Sequence, residues 1–351
     1  MIKVLIVDDS KVEIEFLDFM LSSDPDIRVI GKTVDGEEAI KFIEHTKPDV
    51  IAMDIHMPNM DGYEATKIIM ETNPVPIVIV SASSGKEVDK AYRAIAAGAL
   101  AFVDKPVGFD NPDFIKIKAN LIQTVKLMSE VKVVKRRFRN IEEIKLVKPE
   151  INYNNGLLQK DYSLIVIGVS TGGPAVLQSI LSCLPKDFPI PIIIVQHIAE
   201  GFLPGMIEWL SNSTFLKYKI PENDEIIEKG IVYFAPDYFN IGVSSKNRII
   251  LSKDSIENGL RPSVSYLFRS ASQNFTDKLI GIILTGMGKD GAEELKMIKN
   301  NGGLTIAQDK NTSVVFGMPQ EAIRLNAAMY ILPPERIASL LIKIASGNKE
   351  I

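Results

Sequence analysis

Two α/β domains joined by a charged linker are what this sequence predicts, on three observations. The chain has 351 residues, more than one domain usually holds. Short apolar runs alternate with amphipathic stretches twice, first over 1–125 and again from 161. Between these regions, 126–160 is densely charged and then rich in asparagine. Strand–helix alternation implies parallel strands with helices over both faces of a sheet. The expected architecture is an N-terminal doubly wound (βα)5 domain over 1–125 and a linker over 126–160. A C-terminal α/β domain with a mainly parallel sheet follows over 161–348.

In the first domain, "KVLIVDD", "IRVIGKT", "PDVIAMDI", "PIVIVSAS" and "AFVDKP" are five β-branched runs bounded by turn residues. Helical patterns such as "SKVEIEFLDFMLSS" and "DGEEAIKFIEHT" lie between them. The linker is expected to be partly helical at its start, and its basic cluster "KVVKRRFR" reads as a solvated charge run. In the second domain, "SLIVIGVS", "IPIIIVQH", "GIVYFAPD", "RIILSK", "KLIGIILTG" and "GGLTIAQD" read as strands. "GPAVLQSILSCLP" and "KDGAEELKMIKNN" read as helices.

Composition excludes several classes. A net charge of −4 supplies no global basic field to recruit nucleic acid. A helix-turn-helix output would need a short basic helical unit, and the second domain is long, α/β and not basic. The single cysteine, Cys183, forms no internal disulfide and fits a reducing compartment. No apolar run approaches the ~18 residues of a membrane span. "MIKVLIVDDS" is too short an apolar run for a signal peptide, so a cytoplasmic protein without membrane insertion is expected.

Ligands of parallel α/β sheets bind beyond the carboxyl ends of the strands. Asp8 and Asp9 end the first run and Asp54 ends the third, while Ser81 and Lys105 follow the fourth and fifth. Three converging carboxylates repel one another unless a cation shares them. Oxygen-only ligands favour Mg²⁺, and a lysine and a hydroxyl facing the same point would hold phosphoryl oxygens. With "VDDS", "DIHMPNMDG", "SAS" and "DKP", this half resembles the receiver domain of two-component response regulators. The resemblance implies that Asp54 accepts a phosphoryl group from a histidine kinase. It implies Mg²⁺ held by Asp8, Asp9, Asp54 and the backbone carbonyl of His56. It makes Ser81 and Lys105 readers of the phosphoryl group, Phe102 the switching aromatic, and Lys105–Pro106 a cis bond.

The stretch "GVSTGGPAVL" follows the buried run "SLIVIG". It is not G-x-G-x-x-G and lacks a Walker Lys-Ser/Thr, which weakens a phosphate cradle. It fits G-x-S-x-G, in which small neighbours let a serine stand on a strand-to-helix turn. Ser170 would need a base. Of the three histidines, His45 lies late in a helix and His56 belongs to the acidic pocket. His197, at the end of "IPIIIVQH", alone can meet Ser170. An orienting acid is offered by Asp290 in the glycine-rich "TGMGKDG" that follows another strand; Asp309 is the alternative. The order Ser, His, Asp excludes the α/β-hydrolase fold, whose histidine comes last. Cys183, at helical spacing among Ile180, Leu181 and Leu184, reads as packing.

With "GVSTGGP", "VQH", "RPSV", "ILTGMGKDGAEEL", "GGLTIAQD" and "SVVFGMPQEA", the second domain resembles the catalytic domain of chemotaxis methylesterases, the CheB family. The resemblance implies Ser170 as nucleophile, His197 as base and Asp290 as orienting acid, with no cofactor at the hydrolase site. It implies an oxyanion hole at the backbone N–H of Met287 and support of His197 by Thr171. Its substrates are glutamate γ-methyl esters and glutamines of methyl-accepting chemoreceptors. Three positions depart from the family pattern: Ile198-Ala199 for Met-Pro, Asn240 for a histidine, and Ser265 for an aspartate. They bear on substrate fit. Two other readings stand beside this one: a hydrolase of the same mechanism with another ester or amide, and a non-catalytic regulator competing for phosphoryl groups.

Overall fold

The five N-terminal runs form strands β1 (Ile2–Val7), β2 (Ile27–Thr33), β3 (Val50–Asp54), β4 (Ile77–Ser81) and β5 (Ala101–Asp104) in a computed structural model of the chain. The structure describes residues 1–81, 86–105, 108, 114–131, 133, 156, 160–253, 256–257 and 259–346, with the backbone alone at 86–91. The basic cluster at 132–139, apart from Val133, and the Lys105–Pro106 bond lie outside the described residues.

The strands pair in parallel in the order β2-β1-β3-β4-β5. Helices α1 (Lys11–Ser22), α2 (Gly36–His45), α3 (Gly62–Thr72), α4 (Lys86–Ala97) and α5 (Phe114–Ser129) follow the strands in turn. Local chemistry sets the helix starts. Ser10, Asp35 and Asp61 each accept the N–H three residues on, satisfying a donor that the helix leaves open. Strands β3 and β4 are buried at every position, as expected of parallel strands covered on both faces. The order reverses between β1 and β3, and Asp8 and Asp54 stand at that switch point.

Two compact units divide the chain: Met1–Glu143 with Ala199–Trp209, and Ile144–Ile198 with Leu210–Ile351. The second unit is built on a seven-stranded parallel sheet, ordered β14-β13-β12-β6-β7-β9-β8. Its strands are β6 (Leu164–Val169), β7 (Ile192–Gln196), β8 (Lys217–Lys219), β9 (Ile231–Phe234), β12 (Leu279–Ile283), β13 (Leu304–Gln308) and β14 (Tyr330–Leu332). The helices are α6 (Gly173–Leu181), α8 (Val264–Phe275), α9 (Ala292–Asn300), α10 (Met318–Arg324) and α11 (Pro334–Ala345), while α7 (Leu203–Ser213) belongs to the first unit up to Trp209. Val264, Leu267, Phe268 and Ala271 of α8 join Leu164 and Val166 of β6 in one apolar cluster. Ile165 and Ile167 point the other way along the pleat and are equally buried, so both faces of β6 are covered.

One expected strand sits elsewhere. "RIILSK" contributes β11 (Ile249–Ser252), which pairs antiparallel with β10 (Asn240–Val243) in a separate hairpin. Five residues join β10 to β11, and a parallel pairing would need a crossover of a dozen or more. The short strands β8, β10 and β14 lack apolar runs long enough to announce them.

Candidate functional site

Strands β7, β6 and β12 are neighbours, and their carboxyl ends are level. Gly168 pairs with Val195 on one side and Ile283 on the other, and Val169 pairs with Gln196. The register therefore sets Ser170, one residue past β6, beside His197, one residue past β7. The ladder continues into both: His197 N–H donates to the Val169 carbonyl at 2.9 Å, and Ser170 N–H to the Thr285 carbonyl at 3.0 Å. The chain then turns at once into α6 through Gly172, whose φ of +79° an L side chain rarely adopts.

Asp290 arrives from the loop after β12. It is 2% exposed, and its Oδ2 lies 3.0 Å from His197 Nε2. Three further donors converge on the carboxylate. Val264 N–H donates to Oδ2 at 2.7 Å, Ser263 Oγ–H to Oδ1 at 3.0 Å, and Ser265 N–H to Oδ1 at 3.1 Å. These come from the first turn of α8, where Ser263 is also the cap, and a helix start favours an anion. Burial works against ionisation of Asp290. The hydrogen bond and charge of His197, with the Ser265 and Val264 donors, outweigh it and hold the carboxyl well below the usual range. Asp290 is thus an anion that accepts from Nε2, which leaves Nδ1 as the ring nitrogen able to take a proton. Among the described residues no hydrogen bond joins the Ser170 hydroxyl to His197, a bond that ligand-free sites often leave loose.

The glycine-rich loop closes on the serine. A Cβ on Gly286 would lie 2.6 Å from Ser170 Cβ, so only glycine lets the loop approach this closely. Met287 follows it directly, its side chain 41% exposed. Thr171 offers its carbonyl, which accepts from Thr285 Oγ1 at 2.9 Å; no bond from its side chain to His197 is among the described contacts. Asp309 turns to the backbone N–H of Thr312 at 3.2 Å. Cys183 is half-buried, donates to the Ser179 carbonyl, and has its thiol pKa pushed up by burial.

Two departures from the family pattern join this network. Asn240 Oδ1 accepts the Ser263 N–H at 2.9 Å, and Ser265 Oγ accepts the Gly291 N–H at 2.9 Å. Sequence reading missed Ser263; the signal was a serine directly before a helical pattern, a cap signature with no hint of its second partner. Gln196 was passed over too, a polar residue closing an otherwise apolar strand.

At the first sheet's rim, one oxygen from each of Asp8, Asp9 and Asp54 lies within 4.8 Å of the others. Lys105 Nζ bridges Asp54 Oδ2 at 2.8 Å and Asp8 Oδ2 at 3.0 Å. Asp54 Oδ1 accepts the Ile55 N–H at 2.7 Å. Burial pushes the Asp54 pKa up; Lys105 pulls it down less strongly, and Asp8 adds to the rise. The Ser81 hydroxyl is buried and has no hydrogen-bond partner among the described residues. His56 lies two residues past Asp54. Phe102 meets Tyr92 edge-on at 5.4 Å and stacks on Phe202 at 4.4 Å, within the same unit. Hard carboxylate oxygens suit Mg²⁺, and an orphaned hydroxyl beside a lysine suits a phosphoryl oxygen, so the residues present fit both groups. Among the described residues no helix is long and apolar enough to cross a membrane.

Comparison with known proteins gives concordant results. The family described as CheB methylesterase matches residues 165–341, and the response regulator receiver domain matches residues 4–116. A protein-glutamate methylesterase/protein-glutamine glutaminase of Syntrophus aciditrophicus is 50% identical over 99% of both chains. One of Nitrosospira multiformis is 48% identical, covering 100% of this chain and 99% of that one. The crystal structure of the Thermotoga maritima CheB methylesterase catalytic domain covers 53% of this chain and 100% of its own. Its TM-score is 0.51, at 40% identity.

Proposed function

This chain belongs to the CheB methylesterase family and carries a response regulator receiver domain, and on that premise we propose the following function. It is a phosphorylation-activated serine esterase that hydrolyses glutamate γ-methyl esters on chemoreceptors and deamidates receptor glutamines. The observation that carries this reading is the buried Asp290, 3.0 Å from His197 Nε2, on the rim that also bears Ser170.

In the proposed reaction, Ser170 Oγ attacks the ester carbonyl carbon while His197 Nδ1 takes its proton. Asp290 holds the ring in the tautomer that leaves Nδ1 free and stabilises the imidazolium that forms. The negative oxygen of the tetrahedral intermediate is received by backbone N–H groups of the loop at Met287, whose approach to Ser170 depends on Gly286. His197 then returns the proton to the departing methoxide, which leaves as methanol. Water, deprotonated by the same nitrogen, attacks the acyl carbon; the bond to Ser170 Oγ breaks, His197 returns the proton to that oxygen, and the glutamate is released. A glutamine follows the same course with ammonia as leaving group. Every group in this cycle comes from side chains and backbone.

Asp54 is the proposed phosphoryl acceptor from a histidine kinase. Asp8, Asp9 and Asp54, with the carbonyl of His56, would hold Mg²⁺, which supplies charge neutralisation as the phosphoryl group transfers. Lys105 and the orphaned Ser81 hydroxyl are suited to bind the transferred oxygens. The test is methanol release from methylated receptor with a small phosphodonor and Mg²⁺. Release by the wild type, and none by Ser170→Ala, is expected. Receptor methyl groups that persist with the wild type while a small ester is hydrolysed would move the protein to another substrate.

A further inference from the structure

We propose that Gln196 is a positioning residue that ties the nucleophile and the base together through one carboxamide; this rests on the roles proposed above for Ser170 and His197. Gln196 closes β7, in which every position is buried and every other residue is apolar. Its own side chain is 5% exposed. The Nε2 amide donates to the Ser170 carbonyl at 3.0 Å and to the His197 carbonyl at 2.8 Å. A single NH₂ group thus spends both protons on the backbones of the two residues that exchange a proton in the reaction.

The placement answers a local problem. The last rung between these strands is His197 N–H to the Val169 carbonyl. Beyond it the chains separate, one into α6 and the other into the segment that leads to α7. The ladder holds both residues through their N–H groups, but no backbone rung joins Ser170 to His197 directly. The carboxamide spans that gap and replaces the missing rung.

What the molecule gives up for this contact argues against simple filling of space. The Gln196 Oε1 atom is buried without a hydrogen-bond partner among the described residues, a defect that leucine or methionine would avoid. The neighbouring helix makes room as well: a Cβ on Gly173 would lie 2.2 Å from that oxygen. Catalysis is sensitive to such spacing, since a misplacement of ~1 Å can cost about a hundredfold in rate.

Gln196→Met preserves length and bulk and removes both donors. In the full-length protein, supplied with a small phosphodonor and Mg²⁺, kcat on methylated receptor is expected to fall about ten- to a hundredfold. KM should stay within about twofold, because an arrangement used in the reaction rather than in binding has been lost. A kcat within twofold of wild type, or a loss carried by KM alone, overturns the proposal. A second measurement needs no variant. In wild-type protein carrying ¹⁵N-glutamine, the Gln196 carboxamide should exchange slowly with solvent and shift when a fluorophosphonate esterifies Ser170. An unshifted or freely exchanging signal overturns the proposal, and that signal decides alone if the variant does not fold. Ser170→Ala, assayed alongside, separates the two claims. An active Ser170→Ala removes the nucleophile assignment itself, whereas an inactive one beside a fully active Gln196→Met removes only the role of Gln196.

Discussion

Asp54 and Asp290 are the same side chain, one buried in the last position of a parallel strand and one buried in the loop after another, yet their surroundings drive them in opposite directions. Asp290 faces four donors: His197, Ser263, and the N–H groups of Val264 and Ser265. Its pKa is lowered despite burial. Asp54 shares one lysine with Asp8 and accepts one backbone N–H, and burial keeps its pKa raised. The difference teaches what each site is built for. A fully compensated anion stays fixed, as the orienting role proposed for Asp290 requires. An under-compensated one is suited to share a cation, which relieves the excess charge; in the role proposed for Asp54 the carboxylate becomes a mixed anhydride with phosphate, and the bound cation offsets the added charge.

The largest effect that can break this contrast is at the nucleophile. Ser170→Ala should lower turnover by about 10⁶-fold while Asp54 is still labelled by a small phosphodonor at the wild-type rate. Loss of both activities would mean that the two sites are not chemically separate. Asp290→Asn should cost about 10⁴-fold, because an amide favours the wrong tautomer of His197. A fully active variant would hand the orienting role to another carboxylate.

Ser263→Ala sharpens the comparison by removing one of the four donors, and turnover should fall about tenfold as Asp290 loses one of its anchors. Ser263→Thr, which keeps the hydroxyl, should restore most of the rate; equal defects in both variants would mean that the hydroxyl does not carry the effect.

The smallest effects are on stability, and they should differ in sign. The Asp54 carboxyl binds its proton more tightly when folded. Folding stability therefore falls as pH rises from the ordinary aspartate value through its raised value, and the penalty is complete once pH is above that raised value. Asp54→Asn should remove that penalty and raise the Tm of its unit by a few degrees at pH 7 without Mg²⁺. The gain should vanish in acid. For Asp290 the folded pKa is depressed. Its contribution is present above the ordinary aspartate value and lost as pH falls through the lowered one, so Asp290→Asn should lower the Tm at pH 7. Calorimetry of both variants with pH checks this, and shifts of the same sign would refute the contrast.

Much of the site was legible because residue type and strand position together restrict chemistry. Three aspartates, a serine and a lysine at the ends of five ordered strands admit few readings, and a chain with one usable histidine leaves little choice of base. The long buried runs β3, β4, β6 and β7 were equally plain. Short elements were not: the three residues of β8 and of β14 carry no period, and the hairpin of β10 and β11 depends on a five-residue connection rather than on composition.

By itself the sequence determined the two α/β units, the strand ends that carry Ser170, His197 and Asp54, and the family to which they point. Those follow from local periodicity and from side-chain chemistry, which a linear chain displays. Only the tertiary structure decided which atoms meet. It turned His197 so that Nε2 faces Asp290, brought the first turn of α8 under that carboxylate, and aimed the Gln196 amide at two carbonyls. It also gave two buried aspartates opposite proton affinities. These outcomes depend on groups up to 93 residues apart in the chain, and no local pattern can count the donors that will converge on one oxygen.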